Sequence, residues 1–345
     1  MKQIQKRMLL ALGSLMLMGS LAACGNQPAA STTPAKEAAP ASAAAPEELT
    51  VALDWYPNAV HSFLYAAEEQ GYFKEENLKV TLQMPSDAND PLKMVAAGKI
   101  DTAISYQQQV VQARSESIPV VSLAALVRHP LNIIMVREDS GIKSPKDLAG
   151  KQIGYPSVPL DEAIVRNVVK ADGGDDSGLT FTDIGFDIIP ALTSKRVDAV
   201  VGGYINHEKP ILEKNGVPVI AFEPRQFGVP DYYELVLTTS DDTLAKKEKA
   251  LAGFLRAIAK GQAYVKENPE AALKLLLSKQ AQEFPLEADI ETKSLEILLP
   301  LMDARSDPFG TQSEESWQTM IDWMKKEKLI QGDVTVDQVM KNVAR

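Results

Sequence analysis

The chain has 345 residues, with 36 Lys and Arg against 46 Asp and Glu and a net charge of −10. No basic patch or arginine-rich run breaks that acidic balance, which speaks against nucleic acid as a partner. One cysteine excludes an intrachain disulfide framework and a cysteine-rich metal site, and His61, His129 and His207 lack metal-ligand spacing.

The N-terminus reads as an export signal. Lys2, Lys6 and Arg7 precede the apolar run MLLALGSLMLMGSLAA, which is too short for a typical membrane span. The run ends in Leu21-Ala22-Ala23-Cys24-Gly25, which resembles the lipobox of bacterial lipoproteins. Residues 1–23 are therefore expected to be a signal peptide and Cys24 a lipidated first residue. Residues 24–46 hold mostly Ala, Pro, Ser and Thr. Such a segment buries too little apolar surface to offset its ordering entropy, so it predicts a flexible tether.

From residue 47 the chain alternates short β-rich runs with helical patterns, which predicts an α/β fold with largely parallel sheets. ELTVALDW, LKVTLQM, IDTAISY, SIPVVSLAAL and LNIIMVRE read as strands. A helix is expected over residues 58–70, closed by Gly71, and PLKMVAAGK reads as a short helix. After residue 138 the order restarts: SPKDLAG is a short helix, KQIGYPS a strand, and residues 160–171 a helix. The loop ADGGDDSGL, a strand FDIIP, a short helix ALTSKR and a strand VDAVVGGY follow. VPVIAFEP is expected to lead back toward the first half, and from residue 240 the chain is mostly helical.

Two phrases rhyme. GKIDTAISY and SKRVDAVVGGY each pass from a helix end through an Asp-Ala-rich strand to a tyrosine, Tyr106 or Tyr204. The expectation is two similar lobes, 47–137 with 230–345 and 138–229, joined near residues 136–140 and 222–233. In open parallel sheets ligands bind beyond the carboxyl ends of the strands. Those ends carry Trp55, Tyr106, Tyr155 and Tyr204, four rings suited to a flat heteroaromatic ligand. Asn58, His61, Ser105, Ser157, Asn206 and Glu208 lie beside them as candidate polar partners. Four of them have a plainer role open: Asn58 and Ser157 as helix caps, His61 as a structural histidine, Glu208 as a solvated helix-start carboxylate. No GxSxG, Walker loop or GxGxxG occurs, and neither cofactor nor metal is expected.

The phrases LDWYPNAVHSFLYAAEEQGYFKEENLKV, AAGKIDTAIS, IPVVSLAAL, SGIKSPKDLAGKQIGYPS and RVDAVVGGYINHE resemble the NMT1/THI5-like family. That resemblance implies a type II periplasmic-binding-protein fold, with two α/β lobes, two crossovers and a cleft between them. It also implies a choice between a receptor of an ABC importer and a pyrimidine-synthesising enzyme. The fungal synthase resembles DTAISYQQQVVQAR but has a cofactor-binding lysine where this chain has Ser105 and a sacrificial histidine where it has Gln109. Without that lysine no Schiff base to pyridoxal phosphate forms. The resemblance thus implies a monomeric receptor that hands a heteroaromatic ligand to ABC permease subunits and meets the membrane only through its lipid. The subgroup it is most similar to binds a pyrimidine precursor of thiamine, with riboflavin or another small solute as the alternative. Trp55 and Tyr204 would stack, Asn58, Ser157, Asn206 and Glu208 would hydrogen-bond, and His61 and Tyr106 would form walls.

Overall fold

A computed structural model describes residues 45–343. The predicted signal peptide, the Cys24 lipidation site and residues 24–44 of the predicted tether lie outside the described residues. Among the described residues ten strands form two sheets. They are β1 (Glu47–Ala52), β2 (Leu78–Gln83), β3 (Thr102–Ser105), β4 (Val120–Val127), β5 (Asn132–Arg137), β6 (Gln152–Tyr155), β7 (Thr180–Asp183), β8 (Ala199–Tyr204), β9 (Val219–Phe222) and β10 (Leu235–Ser240).

The first sheet runs β2-β1-β3-β10-β4 and the second β7-β6-β8-β5-β9. The two orders are the same pattern. In each sheet three strands pair in parallel, β2-β1-β3 and β7-β6-β8, and the fourth in the row is antiparallel to both its neighbours. That antiparallel strand is the one that arrives from the other lobe. The expected repeat is real: β3 and β8, which carry the rhyming phrases, are third in their rows, and β1 and β6 are second.

The lobe boundary differs from expectation. Strand β5 pairs with β8 and β9, so the first crossover spans residues 128–131 and the second lobe begins at Asn132 rather than at 138. β5 is buried on both faces and shows no alternation, so its sequence carries no mark of which sheet will take it. The return crossover spans residues 223–234 and delivers β10, a strand missing from the expected set. VPVIAFEP contributes β9, the edge of the second sheet, before the chain returns. FDIIP is not a strand. Its residues open the helix Ile188–Thr193, whose first turn tolerates Pro190, and the strand lies earlier, in the half-exposed TFTD of β7.

The C-terminal helices complete the first lobe. The long helix Asp241–Glu267 lies on the helix Ser62–Glu69 so closely that a Cβ on Gly261 would stand 2.2 Å from the Phe63 carbonyl oxygen. Earlier on the long helix Phe254 stacks on Phe73, with ring centroids 5.5 Å apart. The helix Ala288–Met302 packs over the turn Ala59–His61 and faces the helix Glu208–Lys214 of the second lobe. Among the described residues no helix is long and apolar enough to cross a membrane.

Candidate functional site

The first wall of the cleft grows from the end of β1. There the chain turns through Asp54, Trp55 and Asn58, all buried. Asn58 has extended backbone and caps the turn Ala59–His61, its side-chain oxygen accepting the Val60 N–H at 3.1 Å. His61 Nδ1 accepts the Asn58 N–H at 3.2 Å, which leaves the proton on Nε2. Nε2 then donates to Asp54 Oδ1 at 2.9 Å. This closed network fixes a polar loop that backbone propensity alone would not hold. The end of β3 adds Tyr106, and the start of the helix Gln107–Ser115 adds Gln108 and Gln109.

The second wall grows from β8 and from the residues after β6. Gly202 has φ of +85°, and a Cβ there would lie 2.4 Å from Pro156 Cγ, so only glycine fits. Its N–H donates to Asn132 Oδ1 at 2.9 Å, and Asn132 Nδ2 donates to Asp161 Oδ1 at 3.1 Å. Tyr204, His207 and Glu208 complete the β8 side, and Pro156, Val158, Leu160 and Ile164 form an apolar face. The return crossover contributes Tyr232 and Glu234. Between the walls lies a partly enclosed cavity lined by these residues.

Trp55, Asn58, Tyr106, Tyr204 and Glu208 all line this cavity, as the sequence suggests. His61, Ser105, Tyr155, Ser157 and Asn206 do not. His61 stands behind the loop as its support. Ser105 donates to Gln109 Oε1 at 2.9 Å, so the two side chains are engaged with each other. Tyr155 meets Phe181 edge to face, with centroids 6.4 Å apart, and Ser157 donates to Asp183 Oδ1 at 2.8 Å in an exposed pair. Asn206 donates to Ser294 Oγ at 2.8 Å, across to the other lobe. The lining residues missed from sequence include Asp54, Asp161, Tyr232 and Glu234. The only sign of Glu234 was its place next to the expected return of the chain.

Four carboxylates, Asp54, Asp161, Glu208 and Glu234, thus face one space with aromatic walls. Burial, with the charge of Glu234 nearby, pushes Asp161 up to about 7 against the hydrogen bond from Asn132. Burial also pushes Glu234 up to about 7, although the N–H groups of Leu131 and Asn132 donate to its Oε2 at 2.7 and 2.9 Å. His207 behaves oppositely. Burial alone would lower it, but Glu208 and Glu291 raise it to about 10, so it is an imidazolium. Burial acts to raise Glu208, yet the charge of His207 and the Tyr204 N–H hold it below its ordinary value. Tyr106 and Tyr204 line the cavity from opposite walls, and the rings of Trp55 and Phe186 of the second lobe meet edge to face with centroids 4.4 Å apart.

Two lobes of matching strand order, two crossovers and a lined cleft at the strand ends define a type II periplasmic-binding-protein fold. The alkanesulfonate-binding protein SsuA from Xanthomonas axonopodis pv. citri bound to MOPS shares that fold, with a TM-score of 0.69 and 14% identity over 87% of this chain and 100% of that one. A profile of the family described as NMT1/THI5 like matches residues 58–272, and the chain belongs to this family. It is 43% identical over 298 residues to the formylaminopyrimidine-binding protein of Halalkalibacterium halodurans, across 86% of this chain and 90% of that relative. It is also 29% identical over 261 residues to a 4-amino-5-hydroxymethyl-2-methylpyrimidine phosphate synthase of Legionella pneumophila, across 72% of this chain and 78% of the relative.

Proposed function

We propose that the protein is an extracytoplasmic, lipid-anchored receptor that captures a pyrimidine precursor of the formylaminopyrimidine type and delivers it to an ABC importer. It acts as a monomer and catalyses nothing. The observation that carries this reading is the combination of ring faces with four carboxylates in one cleft. Carboxylates accept from exocyclic amines and repel anions, so the site favours an aminopyrimidine over a sulfonate, a nitrate or a phosphate ester. A carboxyl held partly protonated near neutrality adds a second contact: it donates to a ring nitrogen while accepting from the adjacent amine. The kinship with the formylaminopyrimidine-binding protein supports the same ligand class. Against an enzyme stands Ser105, which supplies no amine for a Schiff base and is bonded to Gln109.

Isothermal titration of the purified chain with a formylaminopyrimidine, riboflavin and an alkanesulfonate tests the reading. Binding of the pyrimidine alone is the expected result. Tight riboflavin binding would keep the receptor and replace the ligand, whereas tight sulfonate binding with no response to pyrimidines would overturn the electrostatic argument.

A further inference from the structure

We propose that Glu291, which lies outside the ligand cavity, is a latch that holds the lobes closed and couples closure to the ligand-facing carboxylate Glu208; the coupling to ligand rests on the receptor reading above. Glu291 belongs to the helix Ala288–Met302 of the first lobe and is fully buried. One of its oxygens, Oε2, accepts the Ala59 N–H at 2.7 Å, in the turn that follows the Trp55 wall. The other, Oε1, accepts from His207 Nε2 of the second lobe at 3.1 Å. His207 donates through its other nitrogen, Nδ1, to Glu208 Oε1 at 2.9 Å. Glu208 Oε2 accepts the Tyr204 N–H at 2.9 Å.

An unbroken chain therefore runs from the first wall, through Glu291 and the His207 imidazolium, to a carboxylate that faces the ligand. One turn further along the same helix, Ser294 receives the Asn206 side chain. Two successive residues of the second lobe thus grip one face of a first-lobe helix. The exposed pairs of Lys214 with Glu287 and Asp289, at 2.7 Å, lie along the same seam, but exposed ion pairs add little. The buried link is different. Opening the lobes separates His207 from Glu291 and leaves Glu208 as its sole carboxylate partner. A ligand that draws on Glu208 changes the partner of His207, and so biases closure through a contact that it does not touch. Residues Asn206 and His207 belong to this latch more than to the ligand surface.

The test compares wild type with Glu291→Gln, which keeps the shape but removes the charge and turns one of the two acceptor oxygens into a donor. Two measurements are made on the full chain. The first is amide hydrogen exchange without ligand. Faster exchange on both walls, at residues 54–58 and 202–208, is the expected result, while a change confined to residues 288–302 would mean a merely local role and overturn the latch. The second is stopped-flow tryptophan fluorescence with a formylaminopyrimidine. The dissociation rate is expected to rise about tenfold with little change in association, because encounter precedes closure. Exchange and dissociation equal to wild type overturn the proposal. If wild type binds no pyrimidine while both walls of Glu291→Gln exchange faster, the ligand assignment falls and the latch stands. Should Glu291→Gln fail to fold, Ser294→Ala removes only the Asn206 contact and gives the same readings at smaller amplitude.

Discussion

Trp55 as a stacking surface and Ser157 as a hydrogen-bond partner are both candidates by their place at strand ends, and the fold separates them. Trp55 lines the cavity, whereas Ser157 is not among its lining residues and donates to the exposed Asp183. Replacing Trp55 by alanine removes a ring face in a desolvated site, where such anchors cost about 2 kcal/mol or more. Titration with a formylaminopyrimidine should show affinity reduced by at least about thirtyfold for Trp55→Ala, and within about twofold of wild type for Ser157→Ala. The aromatic strand ends were legible because parallel strands deliver their last residues to one place. The buried acids were not. Asp161 sits in the first turn of a helix, where an acid normally faces water, and Glu234 follows two tyrosines in a crossover. Their burial arises from the meeting of the lobes, a contact between residues far apart in sequence.

At the scale of elements, the alternation of strand and helix and the internal repeat could be read because both are local patterns. The partner of β5 could not, since pairing is a long-range choice. Gly261 illustrates the same limit. In the sequence it is a flaw inside a helix, and alanine there should gain about 0.5–1 kcal/mol from propensity alone. The packing reverses that sign. The new Cβ would stand 2.2 Å from the Phe63 carbonyl, a backbone atom that moves only with its helix. Parting two packed helices costs about 1–3 kcal/mol. Gly261→Ala is therefore expected to lower the midpoint of thermal unfolding by a few degrees, and a raised midpoint would show that the crossing yields more easily than this contact implies.

The molecule as a whole carries its buried charge at the seam between lobes, which makes its stability depend on pH in an unusual direction. Asp161 and Glu234 sit near 7 in the folded chain and near 4 when unfolded. Between about pH 4 and 7 the folded state therefore binds more protons than the unfolded one, and stability falls as pH rises. Acids held low by partners, such as Asp101 with Lys247 and Glu76 with Arg256, act with the opposite sign, but their window lies below about pH 4.5 and adds little above it. The stabilising contribution of His207 is fully present below its unfolded value and is lost as pH rises toward about 10, so above pH 6.5 it reinforces the decline. The unfolding midpoint should thus drop from about pH 5 to about pH 8. Glu234→Gln removes one of the two acids and its repulsion on the other, while its side-chain oxygen still accepts from the crossover amides at Leu131 and Asn132. That variant should lose much of the slope between about pH 5 and 6.5 and keep the part due to His207 above it. A slope unchanged in Glu234→Gln would place the proton uptake elsewhere, and a wild-type midpoint that rises over this range would mean that both carboxyls are ionised in the folded protein.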